Sequence, residues 1–170
     1  MRRSTAIAVR IVLCCACAVT LLALSAGEAG ATTRRTARPG HHAAALHAQR
    51  ARNRVVVLAW RAVGVPYRWG GASPRGGFDC SGLTRWVYGH LGVSLPHYTA
   101  AQWRYGRRVA RRRLAPGDLV FFSGLGHVGI YLGHGVVIHA PRPGARVRFE
   151  RFRGWLASSF YGARRLRLPG

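Results

Sequence analysis

Two hydrophobic periods divide the chain into a helical part and a strand-rich part. Apolar residues recur at the spacing of a helix face in residues 50–64 and again from about Cys80, and a short helix is predicted at 99–103. After a basic run at 107–113, the period changes to two, which is typical of strands. The predicted strands are 119–123, 127–132, 136–140, 146–152 and 160–168. This order predicts an α+β fold, with N-terminal helices packed on a small antiparallel sheet.

The N-terminal part of the chain differs from the rest in composition. An arginine-containing start, an apolar run at 11–26 and the small residues Ala29-Gly30-Ala31 predict a signal peptide over residues 1–31, and hence a secreted protein. An uncleaved membrane anchor is the alternative, because the apolar run is only slightly short for a span. Residues 32–49 are rich in Arg, His, Ala and Thr and are predicted to be a flexible basic linker. Residues 50–170 remain as the folded domain.

Length and charge set limits on the domain count and on the partners. The chain has 170 residues, of which 49% are hydrophobic, and this is enough for one domain with a core. All 27 basic residues are arginine, only four residues are acidic, and the formal net charge is +23. Such a surface attracts anionic wall polymers, membrane surfaces or nucleic acid. No recognised nucleic-acid motif accompanies the charge, so a specific nucleic acid partner is not expected.

Cys80 is the only cysteine outside the predicted signal, since Cys14, Cys15 and Cys17 lie in its apolar run. A lone thiol in an oxidising compartment forms no intramolecular disulfide and is a candidate nucleophile. The free N–H groups of a helix that starts near Cys80 would stabilise its thiolate. Such a nucleophile needs a base and a group that orients the base, and the candidates are His127 and His139.

The strand pattern brings these two histidines to one face of the sheet. Joining the apolar faces of the two strands that contain them pairs Ile130 with Val136 and places His127 directly opposite His139. A three-residue loop at 132–134 is predicted, because a two-residue loop would shift the register by one and separate the histidines. Taken singly, each histidine is more often structural than catalytic, and a lone cysteine is more often a buried apolar residue.

Several short motifs follow one another through the predicted domain. They are VPYRWGG at 65–71, FDCSGL at 78–83, LP at 95–96 with Gln102, PGDLVFF at 116–122, HVGIYLG at 127–133 and VIHAP at 137–141. In order and spacing, these motifs resemble those of the NlpC-type family of bacterial cell-wall cysteine peptidases, which are papain-like enzymes. The resemblance covers residues 50–168.

The resemblance implies hydrolysis of peptidoglycan stem peptides, typically between D-γ-glutamate and the diamino acid that follows it. The matching residues make Cys80 the nucleophile, His127 the base and His139 the residue that orients the base. It implies a secreted enzyme, associated with the cell wall, that uses no metal or cofactor. We also expect a monomer.

Three further residues match positions that line the substrate site in this family. They are Tyr67, Asp79 and Ser81. The resemblance implies that the carboxylate of Asp79 holds the free amine of the first alanine of the stem, and that Tyr67 donates to the oxyanion beside the backbone N–H of Cys80. Each has a structural alternative, since Asp79 and Ser81 are also helix-capping residues and Tyr67 also suits a core.

Two other functions remain open at this point. One is a papain-like amidase or acyltransferase that uses the same three residues on another bond. The other is a non-catalytic cationic module that binds envelope polymers, which the arginine content favours. A zinc hydrolase is disfavoured, because no ligand set with hydrolase spacing is evident, and Asp118, after a Pro-Gly turn, is interpreted as structural.

Overall fold

The computed structural model describes residues 39–169. The predicted signal peptide at 1–31 and the first part of the predicted linker lie outside the described residues, so both remain predictions. The helices are α1 (Pro39–Trp60), α2 (Cys80–Gly89), α3 (Thr99–Gln102) and α4 (Trp155–Ser158). The strands are β1 (Ala72–Ser73), β2 (Gly77–Phe78), β3 (Arg107–Val109), β4 (Leu119–Phe122), β5 (His127–Gly133), β6 (Val136–His139), β7 (Arg148–Arg151) and β8 (Phe160–Arg165).

Helix α1 is longer than the sequence pattern predicts. It begins at Pro39 rather than at residue 50, so the second half of the predicted flexible linker is helical. Proline suits the first position of a helix, and the alanine, glutamine and arginine residues that follow it have high helix propensity. Residues 42–50 are exposed, which explains why this part of the helix shows no apolar period. Across residues 39–169, no helix has both the length and the hydropathy needed to cross a bilayer.

Six strands form one antiparallel sheet in the order β3-β8-β4-β5-β6-β7, and β1 and β2 form a separate two-stranded ribbon. The five strands predicted from the period of two are all present, within a few residues of the predicted ends. Strand β3 lies in the basic run at 107–113, where no strand is predicted. The α+β prediction is confirmed.

Both faces of the sheet are covered. Leu119 and Phe121 of β4 pack with residues of α1 and α2, whereas Val120 and Phe122 pack on the other face with Leu156 of α4. Successive side chains of β4 point to opposite faces, and both faces are covered. All four residues of β4 are therefore buried, and all four are apolar. Strands β4 and β5 therefore form the buried centre of the sheet, and α2 packs beside them.

The register between β5 and β6 differs from the predicted one. Ile130 pairs with Ile138, not with Val136, so the strands are displaced by two residues and His127 is not directly opposite His139. The turn has two residues with positive φ, His134 at 50° and Gly135 at 68°, as tight hairpins favour. A bulge between Tyr131 and Gly133 compensates for the shorter loop. The displacement is an even number of residues, so both histidines still lie on one face.

Candidate active site

Cys80 is the first residue of α2, as predicted. The helix begins there because Asp79 is extended and its side chain accepts a hydrogen bond from the backbone N–H of Gly82, with an Oδ1 to N distance of 2.7 Å. Cys80 is half-buried, and its Sγ lies 3.7 Å from Thr99 Oγ1. The N-cap therefore fixes the position of the thiol at the end of the helix.

A cavity of about 540 Å³ opens beside Cys80. Its lining comes from the loop before β1, the start of α2, the segment around α3 and the turn before β5, and it comprises Tyr67, Trp69, Gly70, Asp79, Cys80, Ser81, His97, Tyr98, Thr99, Ala100, Ser123, Gly124, Leu125 and Gly126. Four of the six predicted site residues are in this lining. The structure thus gathers the thiol, a carboxylate, a hydroxyl and a phenol around one opening.

The carboxylate of Asp79 has more partners than a simple cap. It accepts hydrogen bonds from Gly70 N at 2.9 Å and from Ser81 Oγ at 3.0 Å, and His97 Nε2 lies 2.9 Å from Oδ2. Asp79 is only 8% exposed. Asp79 caps α2 and also lines the cavity. Its predicted roles as a helix cap and as a substrate-binding carboxylate are therefore compatible.

His97 is a residue that the sequence pattern did not reveal. It lies 18 positions from Asp79, and neither helical nor strand spacing relates the two. Gln102 brings the segments together, since its Nε2 donates to Ser81 O at 2.9 Å and to Pro96 O at 2.8 Å. The absence of a side chain at Gly82 is also needed, because a Cβ there would lie 2.9 Å from His97 Nε2 and still closer to the backbone of the preceding loop.

His127 and His139 are not among the residues that line the cavity. His127 is 7% exposed and His139 is 1% exposed, and His127 Nε2 lies 2.8 Å from His139 Nδ1. Phe122 and Trp155 pack near the ring of His127, with centroid distances of 6.0 and 5.8 Å. The two imidazoles therefore form a buried hydrogen-bonded pair at the start of β5 and the end of β6.

Glu150 extends this pair, although no motif in the sequence predicts a role for it. Its Oε2 lies 3.2 Å from His139 Nε2 and accepts a hydrogen bond from Arg148 NH2 at 2.9 Å. Arg148 pairs with His139 across β6 and β7, and Glu150 is two residues further along the same face. Strand pairing could have predicted this contact. A carboxylate two positions from the residue paired with His139 lies on the same face of the sheet, diagonally across from His139.

Burial sets the ionisation of the thiol and of the histidines. Burial raises the pKa of Cys80, and hydrogen bonds to Thr99 and to the backbone N–H groups of Val128 and Ser81 do not outweigh it. The expected stabilisation of the thiolate by the helix end is therefore too weak to lower that pKa. Burial lowers the pKa of His127, and the neighbouring His139 lowers it further. At neutral pH the site holds a thiol and neutral imidazoles.

The contact between Val128 and Cys80 brings β5 to the start of α2. Among the described residues, no hydrogen bond joins Cys80 directly to His127, although Val128, the next residue, is within hydrogen-bonding reach of the sulfur. Tyr67 also lines the cavity, and burial together with the nearby Cys80 and Asp79 raises its pKa, which keeps its hydroxyl protonated as a donor. This arrangement can support nucleophilic attack with a neutral base.

Comparison with known proteins identifies the family. The model of the NlpC/P60 family matches residues 64–165. The chain belongs to the NlpC/P60 family. A probable endopeptidase of Mycobacterium tuberculosis is 48% identical over 98 residues, which make up 57% of this chain and 25% of that protein. A gamma-DL-glutamyl hydrolase of Bacillus subtilis is 46% identical over 94 residues, or 52% of this chain and 23% of that protein.

Solved structures agree with the family assignment. The peptidoglycan hydrolase RipB of Mycobacterium tuberculosis has a TM-score of 0.64 and 31% identity, covering 71% of this chain and 67% of that chain. The resemblance to NlpC-type enzymes and the papain-like fold are thus confirmed. This NlpC/P60 chain spans about a quarter of the length of the two curated relatives named above.

Proposed function

We propose that this NlpC/P60 protein is a secreted cysteine endopeptidase that cleaves peptidoglycan stem peptides between D-γ-glutamate and the following diamino acid. The observation that carries the proposal is the cavity in which Cys80 begins a helix directly after the buried carboxylate of Asp79. The gamma-DL-glutamyl hydrolase of Bacillus subtilis supports the choice of bond, because its name describes cleavage beside a γ-linked glutamate.

In this reaction, the sulfur of Cys80 attacks the carbonyl carbon while its proton passes to His127. Because the pKa of the thiol is raised and that of His127 is lowered, both groups start neutral and the transfer accompanies the attack. The negative oxygen of the tetrahedral intermediate receives hydrogen bonds from the Cys80 backbone N–H and the Tyr67 hydroxyl. His127 then protonates the leaving amine, and water hydrolyses the thioester to release the glutamyl carboxylate and restore the thiol.

Asp79 and Ser81 provide the proposed contacts for the N-terminal end of the substrate. The free amine of the first alanine of the stem is cationic, and a carboxylate that is 8% exposed offers it a charge-assisted hydrogen bond. His97 contacts both oxygens of Asp79 and so holds the carboxylate toward the cavity. An amidase or acyltransferase that acts on an uncharged substrate would have no use for this carboxylate, which favours the peptidase.

The test of this function is product identification. The full chain and its Cys80→Ala variant are incubated with peptidoglycan and with a soluble stem tetrapeptide, and the products are identified by mass spectrometry. We expect the native protein alone to release a fragment that ends in D-glutamate. Release of a different acyl or amide product would favour the amidase or acyltransferase. Salt-sensitive binding by both forms without any product would favour a non-catalytic module.

A cluster of arginines on the edge of the sheet supports a second contact with the cell wall. This arginine edge comprises Arg107, Arg108, Arg111, Arg112, Arg113 and Arg164, on β3, on the turn that follows it and on β8. Burial lowers the pKa of Arg164, and the nearby charge of Arg108 lowers it further. The guanidinium groups of Arg108 and Arg164 lie 5.6 and 4.2 Å from the ring centroid of Trp103.

The acidic side chains of the described residues leave this edge without a counterion. Asp79 contacts His97, Asp118 contacts Arg165, and Glu150 contacts Arg148. An anionic polymer of the wall would neutralise the edge and relieve the repulsion. We therefore propose that the edge holds the enzyme on such a polymer, near its substrate.

Neutralising part of the arginine edge is expected to weaken wall binding by at least about tenfold at low salt, since each arginine near an anionic surface contributes roughly 1 kcal/mol. The substitutions are Arg107→Gln, Arg108→Gln, Arg111→Gln and Arg112→Gln in one chain. The matched control carries Arg54→Gln, Arg61→Gln, Arg75→Gln and Arg85→Gln, which remove the same charge from other exposed positions. Binding to cell walls is measured before and after extraction of their anionic polymers. Equal losses in both variants would contradict a localised site.

A further inference from the structure

Glu150 ends a chain of hydrogen bonds that starts at His127. His127 Nε2 lies 2.8 Å from His139 Nδ1, and His139 Nε2 lies 3.2 Å from Glu150 Oε2. We propose that Glu150 is a positioning residue that fixes the tautomers of both imidazoles, so that Nδ1 of His127 is the nitrogen that accepts the proton of Cys80. The catalytic part of this inference rests on the hydrolysis proposed above, whereas the tautomers are a property of the protein alone.

The tautomers follow from the donors and acceptors along the chain. An ionised carboxylate only accepts hydrogen bonds, so His139 must carry its proton on Nε2 to bond to Glu150. The Nδ1 of a neutral His139 is then a lone pair, which accepts from an N–H on Nε2 of His127. The remaining nitrogen of His127, Nδ1, is left without a proton. The opposite arrangement would direct the lone pair of His139 Nε2 at a carboxylate 3.2 Å away.

The charges around the pair keep Glu150 ionised. Burial raises the pKa of Glu150, but the hydrogen bond from Arg148 and the neighbouring His139 outweigh it, and the net pKa lies below its usual value. The charged groups that face His139 are Glu150 and Arg148 on β7, and His127 on β5 is its buried neighbour. Arg148 thus keeps the carboxylate ionised, and the carboxylate selects the tautomer.

The strand register explains why one carboxylate can act through two rings. Gly129 of β5 lies beside His139, and a Cβ there would meet Ile138 O at 2.9 Å and His139 Cβ at 3.2 Å. The missing side chain lets the imidazole of His139 lie across β5, where its Nδ1 reaches His127. Its Nε2 then points toward β7 and Glu150. Both ring nitrogens of His139 are therefore occupied, which is the geometry a tautomer relay needs.

The first test measures the tautomers directly, without any substrate. Histidine side-chain nitrogen NMR of the full native chain at neutral pH is expected to show protonated Nε2 and unprotonated Nδ1 for both His127 and His139. In Glu150→Leu, which removes the acceptor, we expect both rings to become mixtures of tautomers. Glu150→Gln is expected to keep the native tautomers, because one amide oxygen can accept from both His139 and Arg148.

The second test measures catalysis with the stem tetrapeptide. Glu150→Leu is expected to lower kcat/KM by about 10- to 100-fold, as is typical for a residue that orients a catalytic group. Glu150→Gln is expected to lose less than about tenfold by the same comparison. In both variants, the acid limb of the pH profile should move to lower pH. The lost negative charge no longer stabilises the imidazolium of His127, whose pKa falls further.

A matched control removes a charge from the same strand. Arg151 lies on β7 and its side chain is exposed. Arg151→Gln should change neither the histidine tautomers nor the acid limb of the pH profile. The proposal is overturned if native His139 carries its proton on Nδ1, or if Glu150→Leu leaves both tautomers and the acid limb unchanged. If the native protein cleaves no stem peptide but shows the expected tautomers, the proposed function fails and the relay stands.

Discussion

Replacing Cys80 with alanine is expected to lower kcat/KM for a stem tetrapeptide by at least about 10,000-fold, as is typical when an enzyme loses its nucleophile. The change removes only Sγ from a half-buried residue whose helix is capped by Asp79, so the fold and the cavity should remain. Cleavage is followed by chromatography and mass spectrometry, and binding of the tetrapeptide by calorimetry. The variant should still bind.

Ser94→Ala is the matched control for this experiment. It also removes one side-chain heteroatom, but from an exposed position outside the cavity lining, and it should leave cleavage unchanged. Circular dichroism of both variants checks that the fold is intact. Retention of more than about one hundredth of the native rate by a folded Cys80→Ala variant would mean that another group is the nucleophile, against the loss expected for covalent catalysis.

Replacing Asp118 with alanine is expected to reduce the free energy of unfolding by about 3 kcal/mol, near the lower end for a broken buried ion pair. Asp118 is fully buried and accepts from Arg165 Nε at 2.6 Å and Arg165 NH2 at 2.7 Å. It also accepts from the backbone N–H of Ala115 at 2.8 Å. Arg165 remains partly exposed, so water can rehydrate its charge in the variant, which limits the loss.

Urea unfolding of the native protein and the variant measures this loss, provided that the slopes with denaturant agree. Arg148→Ala is the control, since it breaks an arginine–carboxylate pair in which the arginine side chain is 52% exposed. We expect that control to cost less than about 1 kcal/mol, as exposed pairs do. A loss in Asp118→Ala no larger than in Arg148→Ala would show that the buried pair does not stabilise the sheet.

Arg165 is the last residue of β8, and Asp118 directly precedes β4. Their ion pair therefore joins two neighbouring strands of the sheet. The Tyr88 hydroxyl donates to the carbonyl of Gly117, next to Asp118. The interpretation of Asp118 as structural agrees with these contacts. Asp118, in the PGDLVFF motif, thus holds the start of β4 against β8. The carboxylate that lines the cavity belongs to Asp79.

Local chemistry made much of the site predictable. The change of hydrophobic period separates helices from strands, because helix and strand spacing depend only on neighbouring residues. Asp79 before Cys80 marks a helix start for the same reason, since the capping bond spans three residues. The motifs around Tyr67, Cys80 and His127 then indicated the family, and its match over residues 64–165 confirms that resemblance.

Tertiary structure decided the contacts that join distant segments. The turn at His134 and Gly135, together with the bulge in β5, displaced the register by two residues, although the even number kept His127 and His139 on one face. Local periodicity does not specify such a displacement, because a shift of two leaves every side chain on its original face.

What the sequence by itself determined is therefore the order of three helices and five of the strands, the helix start that presents Cys80 and the family. What only the tertiary structure decided is which polar groups reach one another: His97 with Asp79, and Glu150 with His139. Hydrogen bonds of this kind form only when segments far apart in the chain bring a donor and an acceptor to within about 3 Å of each other. Pairing of β6 with β7 brings Glu150 to His139, and the bonds from Gln102 bring the segment that contains His97 to Asp79, so both contacts depend on how distant segments pair.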